Sequence, residues 1–198
     1  LVIQKYFGAE GYNKAGVDFS KILDIPSPIT RHLSLGVLEG GNGEEGTAFG
    51  ETRRRPTIYS HLKNYYDLTD ETGMELGFSH MAGSRDEDAS MEVQILAADA
   101  TLVHRFSDSQ ILKLQSEIFN LSRRETQSEE ELYVEGNLWG AYALADLRFH
   151  PQWSTGFRYD YVEPVDHDFE NSDNAFDEAY NRYLTFYQSQ FARWRLQY

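Results

Sequence analysis

The sequence predicts an all-β chain, an antiparallel up-and-down meander of about ten strands, and three observations predict it. Apolar and polar residues alternate with a period of two over several six- to ten-residue segments. Short turns and long polar segments take turns along the chain without exception. Aromatic residues, 14% of the 198 positions, gather beside the turns.

The alternation is visible in order. Leu33, Leu35 and Val37 alternate with His32, Ser34 and Gly36, and Leu76 and Phe78 with Glu75, Gly77 and Ser79. Trp153, Thr155, Phe157, Tyr159 and Tyr161 alternate with Ser154, Gly156, Arg158 and Asp160. In the last segment Ala192, Trp194, Leu196 and Tyr198 alternate with Arg193, Arg195 and Gln197, where a one-residue slip would place two arginines on the apolar face. The exception is Gln110 to Ser122, whose Ile111, Leu114, Ile118 and Leu121 also fit a helical stripe.

Tight turns are expected at 25–28, 67–70, 107–110, 150–152 and 188–190, and long polar segments at 39–55, 83–90, 122–131 and 163–178. The turn-to-turn spacings from Pro26 are 43, 39, 43 and 38 residues, so one period is a strand, a long loop, a strand and a tight turn. A closed up-and-down sheet with long loops on one rim and tight turns on the other is the architecture of a transmembrane β-barrel of the outer-membrane type. Closure satisfies every backbone polar group in lipid, and only alternate side chains need be apolar. A hydrophobic content of 40% and a mean hydropathy of -0.58 are therefore compatible with it.

Charge follows the same division. The four long segments carry 18 of the 32 acidic residues and 6 of the 18 basic ones, hence -12 of the net -14. The acidic balance argues against nucleic acid as a partner. Zero cysteines exclude disulfides and thiol chemistry. Tyr65 and Tyr66, Phe106, Phe149 and Trp153, and Tyr187 and Phe191 beside the turns suit an interfacial aromatic girdle. The opening residues, Leu1 to Tyr6, have neither an initiator Met nor the pattern of a signal peptide.

Several stretches resemble the bacterial outer-membrane barrels of the phosphate-selective-porin-like and zinc-regulated outer-membrane protein type. They are Arg55-Pro56 followed by His61 to Leu68, Trp139-Gly140-Ala141-Tyr142, Gly156 to Tyr161, Tyr183 to Phe186, and Phe191 to Tyr198. The resemblance implies a larger barrel of which this chain is a fragment, placed in the bacterial outer membrane. Its partners would be outer-membrane lipid and lipopolysaccharide, a small polar or anionic solute, and copies of itself in a homo-oligomer. Nothing matches a TonB box or a plug domain.

If the face bearing Trp153 meets lipid, alternation turns Arg158 and Asp160, Asp146 and Arg148, Arg193 and Arg195, and Lys113, Gln115 and Glu117 inward as pore-lining candidates. Opposed charges there would set the potential felt by a passing ion; a salt-bridged interior without selectivity is the simpler alternative. Asp166, His167 and Asp168 offer carboxylates beside an imidazole for a loop-bound divalent cation such as Zn²⁺ or Ca²⁺, against the plainer reading of a solvated acidic loop. No other cofactor is implied. His32 and His61 fall on inward faces of neighbouring strands, where they would either pair to bind a metal or serve as ordinary hydrogen-bonded histidines, the simpler reading. Arg53-Arg54-Arg55 would either constrict a pore or pair with Glu44, Glu45 and Glu51 of its own loop. Gly40-Gly41-Asn42-Gly43 lacks the Gly-Lys-Ser/Thr of a phosphate loop, and no hydrolase or zinc-protease motif occurs, so an enzyme is not expected.

The function expected is passive diffusion of small polar or anionic solutes through a porin-like barrel. The alternatives are an outer-membrane receptor or structural barrel with a closed lumen, and a soluble all-β carbohydrate-binding domain whose aromatics serve as sugar platforms.

Overall fold

The computed structural model describes residues 1–8, 11–41, 48–49, 55–85, 92–126, 133–163, 176–189 and 191–198. One short helix, α1 (Val2–Phe7), precedes ten strands: β1 (Gly16–Leu23), β2 (Thr30–Leu38), β3 (Thr57–Thr69), β4 (Thr72–Ser84), β5 (Glu92–Ser107), β6 (Gln110–Thr126), β7 (Tyr133–His150), β8 (Trp153–Val162), β9 (Asp177–Tyr187) and β10 (Arg193–Gln197). They form one antiparallel sheet in strict sequence order, with β1 and β10 as its two edges.

Three turns are built alike. Thr69 pairs with Thr72, Ser107 with Gln110 and His150 with Trp153, so two residues make each loop, and each ladder shifts register just before it. Such a bulge adds local twist and ends the pairing cleanly. The two other short connections run between β1 and β2 and between β9 and β10.

Gln110 to Ser122 is strand, not helix: β6 pairs along its length with both β5 and β7. Its stripe divides between the two faces, Ile111 and Leu121 on one and Leu114 and Ile118 on the other, because residues three or four apart along a strand do not share a side consistently. The segment expected to be polar loop from 122 starts inside β6, which runs to Thr126 because β7 continues to pair with it at Arg123–Gly136, Arg124–Glu135 and Glu125–Val134. The expected loops at 83–90 and 163–178 likewise lose residues to β4, which ends at Ser84, and to β9, which begins at Asp177.

The register divides the side chains into two populations. One face, here the bare face, carries exposed Phe19, Leu35, Phe78, Leu96, Ile118, Trp139, Leu184 and Trp194 with nothing packed on it among the described residues. Its central rows across β4 to β8 carry Met74, Ala98, Ala100, Leu114, Ala143 and Ala145, and no charged residue. On β9 the same face carries two charged residues, Glu178, which accepts from the Tyr159 hydroxyl at 2.7 Å, and Arg182, which lies 6.0 Å from the Phe157 ring centre. The opposite face carries α1. There Val2, Tyr6, Phe7, Ala48 and Phe49 pack with Val93, Ile95, Phe119, Leu121, Leu138 and Val162 in a single apolar cluster near the long-loop ends of β5 to β8.

Candidate functional site

The helix face is stratified. Beyond its apolar cluster, each row of the ladder toward the tight turns carries ionisable groups. One row runs from Lys63 through Gly77, Asp99, Glu117 and Tyr142 to Asp160. Lys63 donates to Glu75 Oε1 at 2.6 Å, and His61 Nε2 lies 3.5 Å from Asp99 Oδ2. Gly77 matters here: a Cβ at that position would collide with the Asp99 carboxylate, so the glycine makes room for it.

Arg158 and Asp160 lie two residues apart on β8 and therefore share the face. The guanidinium donates through Nε and Nη2 to both carboxylate oxygens at 2.7 Å, a bidentate geometry, and sits 4.2 Å over the Tyr142 ring. Asp160 is only 3% exposed, so this partner is what makes its burial tolerable. Tyr142 accepts from Gln115 Nε2 at 3.0 Å.

Closer to the tight turns the balance becomes basic. Lys113 and Asp146 are direct cross-strand partners, and Asp146 accepts from the Tyr183 hydroxyl at 2.7 Å. The next row links Arg105, Ile111, Arg148, Ser154, Thr185 and Arg195. Arg148 lies 4.7 Å over Tyr187, and Arg195 lies 4.2 Å over Tyr183 while its Nε donates to Thr185 Oγ1 at 3.1 Å. Stacking on tyrosine holds a guanidinium in place without neutralising it. Gly156 leaves the space that Tyr183 fills, as Gly36 does for Tyr59, an arrangement in which an aromatic ring covers a strand glycine. Arg193 follows on the exposed edge strand, opposite Tyr187.

All eight residues singled out by alternation, Lys113, Glu117, Asp146, Arg148, Arg158, Asp160, Arg193 and Arg195, thus occupy the helix face, in rows of differing charge. Lys63, Glu75 and Asp99 belong with them and were missed. The β3 and β4 alternation could have found the first two; around Asp99 the flanking alanines blur the pattern, being small on either face. Asp166, His167 and Asp168 lie outside the described residues, as do Arg53 and Arg54. His32 and His61 do not form a pair: His32 stands opposite Lys63 and within 2.5 Å of Ser20 Oγ, while His61 stands opposite Ser34 and faces Asp99. Among the described residues no three potential metal ligands come together.

Above these rows sits α1, for which no sequence signal was recognised. Its six residues are far fewer than the roughly 12–15 an isolated helix needs, so packing sustains it. Val2, Tyr6 and Phe7 form its buried face, each contributing about 1.5–3 kcal/mol if fully withdrawn from water. Burial, with the charge of Glu163 acting in the same direction, pushes the Tyr6 phenol well above its ordinary value of 10.0, so Tyr6 is seated as the neutral phenol.

No protein-family model, curated protein or solved structure matches this chain. The functional reading rests on the chain's own residues.

Proposed function

We propose that this chain is a wall segment of an outer-membrane β-barrel that lets small polar or anionic solutes diffuse passively across the membrane, with the bare face toward lipid and the helix face lining the lumen. One observation carries the reading: the bare face of a ten-stranded meander is apolar across its central rows in β4 to β8, while most of the charged residues of those strands lie on the other face. A soluble protein has the opposite need, since a large contiguous apolar surface invites association. Dimensions agree. Along β7, Trp139 and the turn residue His150 are 11 residues apart. At about 3.3 Å per residue and a tilt of about 40°, that separation spans roughly 28 Å, close to an apolar band of about 25 Å with its aromatic borders. Tyr161, stacked on Phe176 at 5.5 Å, flanks the Trp139 side and Trp153 and Phe186 the other. In this reading β1 and β10, the sheet's edges, close the barrel with further strands, as lipid requires of every backbone polar group.

The tyrosine-backed Arg148 and Arg195, with Arg193 and Lys113, favour anions at the tight-turn mouth; the Asp99–Glu117 row beyond discriminates in the opposite sense. A second reading, a receptor or structural barrel with a filled lumen, is favoured by the apolar cluster on the helix face. Reconstitution of the complete protein in a planar bilayer decides between them. Discrete conductance steps, with phosphate and chloride compared, are expected of the porin; insertion without conductance, whether α1 is seated or its apolar face removed, replaces it with the filled barrel.

A further inference from the structure

We propose that α1 is a reversible stopper: seated on the helix face it closes the solute path at the long-loop end, and leaving its seat it opens that path. This deepens the barrel reading and rests on it.

Three observations converge on a dedicated seat. The first is a glycine: a Cβ at Gly140 would collide with Val2 Cγ2 and press to 3.2 Å on the Tyr6 ring, so the floor beneath the helix is hollowed for these two side chains. Second, the apolar residues beneath it belong to strands that elsewhere on the same face carry Asp99, Glu117, Arg158 and Asp160; Ile95, Phe119, Leu121 and Leu138 form a contiguous apolar patch under α1, whereas Ile111 and Leu144 of that face stand among polar and charged neighbours. The rings of Tyr6 and Phe7 each meet Phe119 edge-on at 6.3 Å. Third, the segment bridges the face. Lys5 Nζ reaches Asp177 of β9 at 3.0 Å, and the Tyr12 hydroxyl donates to Thr57 Oγ1 of β3 at 2.5 Å. Between them the Ala48 amide donates to the Tyr6 carbonyl at 2.9 Å, bringing Phe49 against Tyr12.

The attachment has the character of a removable part. The sheet's strands are joined to one another by continuous ladders, whereas α1 is held by side-chain packing, the Lys5–Asp177 ion pair, the Leu1 amine 3.3 Å from Asp160 Oδ1 and isolated hydrogen bonds. Too short to persist as a helix by itself, it is either seated and ordered or released and unfolded, a two-state element. Seated, Val2, Phe7, Phe119 and Leu138 would present a mainly apolar layer, with the Tyr6 phenol and the buried Arg123 at its margin, and such layers block by excluding water. A solute entering from the tight-turn mouth therefore passes the arginine and carboxylate rows and meets a closed apolar layer.

These 198 residues contain no cysteine, so an introduced pair supplies the only thiols of this segment. Residues 2 and 140 touch, which puts their Cβ atoms near the about 3.5–4.5 Å that a disulfide spans. In the complete protein carrying V2C and G140C, oxidation is expected to form the cross-link, seen as a gel shift reversed by reductant, and to lower the open probability in planar bilayers at least tenfold relative to the reduced protein. The separate variant V2S/Y6S/F7S, which removes only the helix's apolar face, is expected to raise the open probability at least tenfold over wild type without changing the heat-modifiable gel migration of the folded barrel. Inserted channels whose serine form carries the same current as wild type, or whose cross-linked form carries the same current as its reduced form, overturn the stopper and leave the barrel standing. A protein that stays monodisperse without detergent and never inserts overturns the barrel, and the stopper with it.

Discussion

The two faces of this sheet are made by the same ten strands, yet one leaves Phe78, Leu96 and Trp194 in the open while the other buries Asp160, Ser154 and Thr185. In a water-soluble sandwich the assignments would be reversed, because burial rewards apolar area and penalises unpaired charge. On the barrel reading proposed above, solvent rather than strand pattern is the variable: a period of two creates two faces, and the medium outside would decide which of them is polar. The polar face also holds part of its charge in pairs, Arg158 with Asp160 and Lys63 with Glu75.

The sharpest way to break this contrast is to move a charge across it. Ala143→Arg on the bare face is expected to destabilise the protein in lipid vesicles by about 2–4 kcal/mol, the cost of a cation near a bilayer midplane, while Thr101→Lys on the helix face, one strand from Glu75, costs about 1 kcal/mol or less. Equal and small effects in denaturant titrations of both variants would mean that the bare face does not meet lipid. A smaller effect is expected from Asp160→Asn, which keeps the shape but removes the charge gripping Arg158. A loss of about 1–3 kcal/mol is expected, less than for a fully buried pair because Arg158 retains partial access to water, together with a shift of ion selectivity toward anions measured as reversal potential. An unchanged selectivity would remove Arg158 from the conduction path.

The smallest effect expected is on the stopper's pH response. Released, the Tyr6 phenol ionises near 10.0; seated, it ionises only at higher pH. The seated state therefore binds the proton more tightly, its stability is intact below pH 10, and it falls as pH rises above that value. Open probability should climb between pH 10 and 11 in the wild-type protein and not in Y6F, and identical pH profiles would sever Tyr6 from the gate.

Much of the sheet could be read from local patterns. Trp153 to Tyr161 alternates without fault, and the tight turns announce themselves with Pro, Asp and Ser because each supplies geometry that two-residue loops need. The face shared by Lys113, Arg158 and Arg195 follows from counting by twos. β6 resisted, since Ile111, Leu114, Ile118 and Leu121 satisfy a helical period while serving both faces of a strand; only its two neighbouring ladders settle the matter. The strand extension to Thr126 had the same origin, a charged sequence drawn into the sheet by the partner strand rather than by its own preference.

Order along the chain thus determined the strands, the rhythm of their connections and the sidedness of their charges, all properties of near neighbours. Which carboxylate meets which guanidinium, the glycine hollows beneath Val2 and Tyr183, and the existence of α1 itself were decided in three dimensions. A six-residue helix has no stability of its own to announce, and the side chains that sustain it come from strands more than 80 residues away.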